Sequence, residues 1–289
     1  AMANLKELRS RISSVSSTMQ ITSAMKMVSA AKLSKAQDAI VAMRPYAEKL
    51  TELIQGLSST VEDDLSSALT EERELKNILL VAISSNRGLA GAFNSNIVKK
   101  VKHLETDVYK DQNVEVLTLG KKANDILKKS MKVYHHDTEI FNDLSFNNSV
   151  EISTKIMEAF ENKKFDKVVL VYNKFKNAAT QIVEAEDFLP LVAKSNEEEK
   201  PQQLDYIFEP EQEEILRELM PKSLNIQLFK ALRDSFASEH GARMTAMHKA
   251  TENAQELRDG LKLTYNKARQ AAITNEILEI VAGAEALED

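Results

Sequence analysis

The chain has no cysteine and no tryptophan. Without cysteine there are no disulfides, no thiolate nucleophile and no cysteine-held metal, which suits a reducing compartment. Aromatic residues make up 6% of the 289 residues against 28% charged residues, a balance that favours helical surface over a large aromatic core. Glycine and proline are scarce, at seven and five, and no proline lies between Lys222 and Leu287. No signal peptide is expected, and no apolar run is long enough to span a bilayer as a helix. The formal charge of −6 argues against a nucleic-acid partner, because phosphate binding wants a net basic face.

Chemistry-bearing residues are also sparse. His135 and His136 are adjacent on an extended segment and point to opposite faces, so they make a poor metal pair. His240 and His248 are too far apart on a helix to share a ligand, and His103 stands alone. No serine–histidine–acid set or carboxylate pair stands out. The expectation is no catalytic residue, no metal and no cofactor.

What dominates instead is the last third, Lys222 to Leu287. Met247, Ala250, Ala254, Leu257, Leu261, Thr264 and Ala268 recur at three- and four-residue steps, as in a coiled-coil seam. At about 1.5 Å per residue this segment runs on the order of 100 Å, longer than ordinary globular helices. Arg243, Lys249, Glu252 and Arg258 exclude a membrane span.

A second long helix is expected from about Asn4 to Leu57, with Asn4 as its cap and Glu7 completing a capping box. Leu5, Leu8, Ile12, Val15 and Met19 form its seam, which then turns small and polar through Thr22, Ser23, Ser29, Ala30 and Ala31. Pro45 is expected to kink it. Lys6, Arg9, Arg11, Lys26, Lys32, Lys35 and Arg44 read either as a solvated face or as a basic stripe meeting an acidic partner.

Between the helices the pattern changes, after a polar connection from Ser58 to Asn77 that reads as partly helical. Ile78–Ile83, Val114–Leu119 and Lys167–Tyr172 read as buried strands, Met131–Tyr134 and Gln181–Leu189 as edge strands. Helices are expected at Lys121–Lys129 and Ser149–Glu161. Ser84 to Phe93, with Gly88 and Gly91, is a strand-to-helix loop of the kind that can hold phosphate. It lacks the lysine–serine ending of a P-loop and the third glycine of a dinucleotide fingerprint, so a tight turn is the preferred reading. Asn196 to Pro201 is an acidic surface loop without visible chemistry. The expected fold class is α/β: a long antiparallel coiled coil of terminal helices, 1–58 and 211–289, with an inserted doubly wound, mostly parallel α/β domain over 74–210.

The segment Ile273-Thr274-Asn275-Glu276-Ile277-Leu278-Glu279-Ile280-Val281-Ala282-Gly283-Ala284-Glu285-Ala286 resembles the C-terminal signature of the γ subunits of F-type ATP synthases, of bacterial type. The likeness extends over the whole chain. It includes Gln20 to Val28, Arg44-Pro45-Tyr46-Ala47, Arg87-Gly88-Leu89 with Gly91, Tyr172 to Phe175, Tyr206 to Pro210, Ala242 to Met247 and Tyr265 to Gln270. Asn86 departs from the family's usual aspartate, and Gly241 falls where it should loosen the long helix.

The resemblance implies a non-catalytic rotary shaft coupling proton or sodium flow to nucleotide sites elsewhere. Its implied partners are the α and β subunits, the ε subunit and the c ring, at the cytoplasmic side of the bacterial inner membrane. By family position Arg269, Gln270 and Thr274 should meet a loop of β, and Met25 and Lys26 an acidic segment of β. Tyr206 and Glu209 should sit at the foot near the c ring. Two other readings stay open beside it: a nucleotide-binding enzyme using the Gly88–Gly91 loop, and a free-standing coiled-coil tether.

Overall fold

The computed structural model describes residues 2–58, 68–191 and 212–288. It divides into two compact units, residues 30–243 and residues 1–29 with 244–289. The first helix, α1, runs Met2–Ser58, and the last, α5, runs Gln212–Glu288. No helix among the described residues is long and apolar enough to cross a membrane.

The larger unit is built on a five-stranded sheet: β1 (Asn77–Ile83), β2 (Asn113–Leu119), β3 (Lys132–Asp137), β4 (Lys167–Phe175) and β5 (Gln181–Leu189). Their order is β3-β2-β1-β4-β5; the first four are parallel, and β5 returns antiparallel on β4 through a short hairpin. The expected mostly parallel, doubly wound sheet is present, and both segments read as edge strands lie at its edges. Helices α2 (Phe93–His103), α3 (Lys121–Leu127) and α4 (Phe146–Glu161) link the strands. Strand β1 shows why the run Ile78–Ile83 is continuously apolar: alternate side chains go to opposite faces, and both faces are covered. Leu79, Val81 and Ile83 share one core with Ile152, Ile156 and Phe160 of α4 and Leu224, Leu228 and Leu232 of α5. Ile78, Leu80 and Ala82 share the other with Ile97 and Val101 of α2 and Ala123 and Leu127 of α3. The first part of α5 is therefore a sheet-covering helix.

The smaller unit pairs the start of α1 with the second half of α5. Its contacts run antiparallel: Lys26 meets His248, Thr22 meets Thr251, Met19 meets Arg258 and Arg9 meets Tyr265. On α1 the seam lies where the spacing put it, at Leu5, Leu8, Ile12, Val15 and Met19, followed by buried Thr22 and Ser29. On α5 it does so only in part. The covered positions are Met247, Ala250, Thr251, Ala254, Arg258, Leu261, Tyr265, Ala268 and Ala272, so five of the seven expected positions are covered and Leu257 and Thr264 are not. Leu257 is 56% exposed, and Thr264 is exposed too. The apolar-only reading went astray because it passed over Thr251, Arg258 and Tyr265, whose long or β-branched side chains cover the partner helix with their aliphatic and ring parts.

Other expectations shift at the edges. Helix α1 begins at Met2, so Asn4 lies inside it rather than at its cap, and it continues through Pro45. Helix α5 begins ten residues before Lys222 and takes in Pro221. Strands β3 and β4 run three residues further than expected, and α4 starts three earlier. Residues 59–67 of the polar connection after Ser58, and all of the acidic segment 196–201, lie outside the described residues.

The seam register is testable. Met247 is 4% exposed, so Met247→Ala should cost about 2–4 kcal/mol. Leu257→Ala should cost under about 0.5 kcal/mol, as at an ordinary surface position. Thermal melting of the intact chain followed by circular dichroism distinguishes the two; a large loss at Leu257 would restore the apolar-only seam.

Candidate functional site

Doubly wound sheets hold their ligands in the crevice beyond the carboxyl ends of the strands, where the order reverses. Here the reversal lies between β1 and its neighbours β2 and β4, and three loops crowd it. Ser84 donates its backbone N–H to Leu119 O, and its hydroxyl accepts from Ala123 N. Ser85 Oγ donates to Arg87 O at 2.6 Å, while its N–H donates to Asn94 Oδ1. Asn86 donates through Nδ2 to Thr138 O and accepts at Oδ1 from Lys121 N, using both halves of the amide. Leu89 adopts φ +62° and Gly91 φ +57°.

The crevice is filled by the chain itself. Ser238 of α5 donates to Asn173 O at 2.9 Å, and Asn173 Nδ2 donates to Phe93 O. Arg243 Nη2 donates to Arg87 O and Gly88 O, both at 3.2 Å. Gly241 does not interrupt α5. A Cβ there would lie 3.2 Å from Cα and O of Ala178 in the β4–β5 hairpin, so its missing side chain lets helix and hairpin approach. The loop presents carbonyl oxygens to a guanidinium, and a phosphate cradle needs the opposite, a row of free N–H groups. The turn reading holds for Ser84–Phe93.

Arg243 and its neighbours were missed as a group, since in the sequence they read as ordinary helix charges. Arg243 Nη1 donates to Glu239 Oε1 at 2.6 Å, and both residues are buried. Burial raises the Glu239 carboxyl above its ordinary range, against the pull of Arg243, Lys32 and Arg87. Burial, with Arg243 and Lys32 as added like charge, pushes the His240 imidazole down to about 3. His240 Nδ1 faces Arg243 Nη1 at 3.4 Å. Its ring meets Phe236 edge-on.

The sequence-expected contact residues fall at two levels of the helical pair. Met25 and Lys26 are half-buried on α1, and Lys26 Nζ lies 3.2 Å from His248 Nδ1. Beside them Ile21, Met27 and Val28 are 60%, 65% and 58% exposed. Arg269, Gln270 and Thr274 are exposed on α5, some twenty residues and about 30 Å further along the helix from His248. The structure does not bring the two sets together. Past Ala272 the seam ends, and Ile273, Ile277, Leu278, Ile280 and Val281 stand open to solvent. At 3.6 residues per turn these five span an arc of about 160°, with Gln270 and Thr274 inside it and Arg269 at its margin. Tyr206 and Glu209 lie outside the described residues. No cluster of histidine, aspartate and glutamate suited to a metal occurs among the described residues.

These features define an interaction subunit with two parts: a unit of long paired helices with bare apolar faces, and a unit built on a sheet whose strand-end crevice is occupied by its own side chains. A family model described as ATP synthase matches residues 4–287. The chain is 68% identical over 286 residues to the ATP synthase gamma chain of Christiangramia forsetii and 65% identical over 286 residues to that of Flavobacterium johnsoniae, with 99% of each chain covered. A chain in the central stalk and c-ring structure of Tetrahymena thermophila mitochondrial ATP synthase is 25% identical; the match covers 80% of this chain and 99% of that one, with a TM-score of 0.58. A chain in the rotational state 3 structure of Euglena gracilis mitochondrial ATP synthase shares the fold, with a TM-score of 0.70 at 21% identity, covering 99% of this chain and 95% of that one. The chain belongs to the gamma-chain family of ATP synthase, whose members are non-catalytic subunits of that complex.

Two outcomes test the crevice. Gly120 follows β2 at φ +101°, and a Cβ there would meet Ser84 O at 2.3 Å. Gly120→Ala should cost at least about 3 kcal/mol, from backbone strain and steric overlap together. Gly91→Ala, at φ +57° with open space around it, should cost about 1 kcal/mol. Urea midpoints of the two variants would show the order, and equal midpoints would contradict it.

For His240 the sign follows from linkage. The unfolded chain takes up the imidazole proton near pH 6.5 and the folded chain near 3, so folding stability is lost as pH falls below 6.5. The loss reaches about 2 kcal/mol at pH 5. The raised Glu239 acts with opposite sign: its contribution is present at low pH and is lost as pH rises through its folded value. His240→Gln should therefore show a shallower drop in unfolding free energy from pH 7 to 5 than the parent chain. Equal slopes would mean that the imidazole protonates freely in the folded state.

Proposed function

We propose that the chain is the central rotary shaft of an F-type ATP synthase, coupling ion flow through a c ring to conformational change at catalytic β subunits, and the reverse during ATP hydrolysis. In this reading residues 1–58 and 211–289 are the shaft helices and 74–210 the foot domain. Arg269, Gln270 and Thr274 meet a loop of β, and Met25 and Lys26 meet an acidic segment of β. Tyr206 and Glu209 belong to the foot, on the c-ring and ε side. The complex would sit at the cytoplasmic face of a bacterial inner membrane, with the ring of α and β subunits around the helices.

The observation that carries the reading is the bare end of α5. Five aliphatic side chains between Ile273 and Val281 are 48–66% exposed on a helix that has left its partner. An apolar surface of that extent marks an interaction site. A wide arc calls for a surrounding sleeve, where a narrow stripe would call for one partner helix. Membership in the gamma-chain family supports α and β subunits as that sleeve. A tether that dimerises through the same end is the competing occupant.

Reconstitution with purified α and β subunits tests this. A stable ATP-hydrolysing complex containing the chain is expected; a stable homodimer that ignores α and β would overturn the proposal. Within that complex Arg269 provides the finer test. Its side chain is exposed, so Arg269→Ala should leave the melting temperature of the free chain unchanged within error. One charge-assisted hydrogen bond made in only one rotary position shifts two populations by about tenfold, so the ATPase rate of the complex should change severalfold. A wild-type rate would mean that Arg269 makes no such contact.

A further inference from the structure

We infer that Arg243 is the residue that fastens the β1–α2 loop of the sheet domain to α5, so that twist applied at one reaches the other through its guanidinium; this rests on the rotary reading above. A shaft can deliver torque only if the domain that receives it is locked to the helix that carries it. The core contacts between α5 and the sheet, through Leu224, Leu228, Ala231 and Leu232, are apolar. Apolar contacts resist separation but allow sliding, because they are non-directional. Directional contacts lie along this stretch too: Gln227 Nε2 donates to Glu186 Oε1 and Asp187 O of β5, Arg233 Nη2 donates to Leu144 O, and Asn225 accepts from Ser153 of α4, but none of these reaches the β1–α2 loop. At the end of the stretch Ser238 binds Asn173 O in β4, and Arg243 binds Arg87 O and Gly88 O after β1. Arg243 is also the last residue of α5 that belongs to the sheet unit.

The guanidinium is suited to this place. Its Nη2 donates to Arg87 O and Gly88 O, its Nε lies 3.4 Å from Gly88 O, and its Nη1 is held by Glu239. It is 7% exposed, and Glu239 8%, so the pairing between them is shielded from water. A planar fork fixed on one side by a carboxylate one helical turn away cannot pivot as an ammonium can. The loop it grips is rigid: Arg87 O accepts from Ser85 Oγ as well, and Asn86 bridges two further segments. Ala90 and Phe93 of the same loop pack on Ala242. Leu89, held at φ +62°, is 64% exposed at its tip, so whatever meets that tip is felt by α5 through Arg243.

The test uses Arg243→Lys and Arg243→Ala in the full chain and in the complex reconstituted with its membrane sector. Hydrogen exchange of amides 86–91 should quicken by on the order of tenfold in both variants, while β1 and β2 amides stay protected. In vesicles, ions pumped per ATP hydrolysed should fall severalfold while hydrolysis itself persists. The lysine keeps the charge and the pairing to Glu239, so it serves as the decisive variant if alanine fails to fold. Unchanged loop exchange in Arg243→Lys would overturn the fastening, and so would a loosened loop with an unchanged pumping ratio. If the parent chain forms no complex with α and β, it is the rotary reading that fails, and the exchange result still decides the loop contact.

Discussion

Helix α5 carries two obligations that do not share a surface. From Leu224 to Leu232 it closes one face of a five-stranded sheet, and from Met247 to Ala272 it is half of a two-helix coil. A helix that covers a sheet needs a broad apolar face, and a helix in a coil needs a narrow stripe at 3.5-residue spacing. The two patterns have to follow one another without a break, because any interruption would uncouple them. Proline is therefore absent after Pro221. Small and polar buried residues, Ser235, Ser238, Gly241 and Arg243, take up the stretch between the two patterns. The closed crevice follows from the same constraint, since a helix continuing across the carboxyl ends of β1 and β4 occupies the space a nucleotide would use.

The coil that α5 enters is thin. Its covered positions alternate Ala254, Leu261 and Ala268 with Thr251, Arg258 and Tyr265, and its cross-helix polar contacts are few. Arg9 and Tyr265 form a hydrogen bond on the exposed surface, where such a bond contributes little. Small residues at Thr22, Ser29 and Ala254 let the backbones come close, so dispersion over a narrow contact replaces the deep burial of large aliphatics. Beside the seam leucines, isoleucine and valine, other large aliphatics of this unit point elsewhere: Ile21, Val28, Leu257, Leu263 and Ile277 all face solvent. The sequence invests its apolar surface in partners outside the chain, consistent with a subunit that completes its packing only inside an assembly.

Much of this was legible from the residues. Continuous β-branched runs marked the buried parallel strands, because both faces of β1 and β4 are covered. The seam of α1 was legible because Leu5, Leu8, Ile12 and Val15 are plainly apolar. The seam of α5 was displaced at Leu257 and Thr264, to Arg258 and Tyr265, because hydrophobicity alone cannot see an arginine or a tyrosine lying flat along a helix. Gly241 read as a weak point, and only the proximity of Ala178, some sixty residues away in the chain, shows it to be a close approach. The Arg243 contact was invisible for the same reason: its acceptors are backbone carbonyls of Arg87 and Gly88, and no residue type announces a carbonyl.

The choice of arginine at that point is itself informative. A buried ion pair such as Arg243 with Glu239 costs desolvation that the attraction between its members offsets poorly, and well-packed apolar residues in its place are often as stable. Stability alone therefore does not account for it. What an apolar pair cannot do is donate to two backbone carbonyls at once, nor can it set one angular position between loop and helix. The loop itself holds a strained Leu89 and a Gly91 that both need positive φ, so its geometry is fixed from within as well as from α5. Two rigid bodies joined by directional bonds keep their relative angle under load, whereas two joined only by apolar contact need not. For a chain whose family works by turning, angular definition is the property that a buried guanidinium fork supplies at a cost in desolvation.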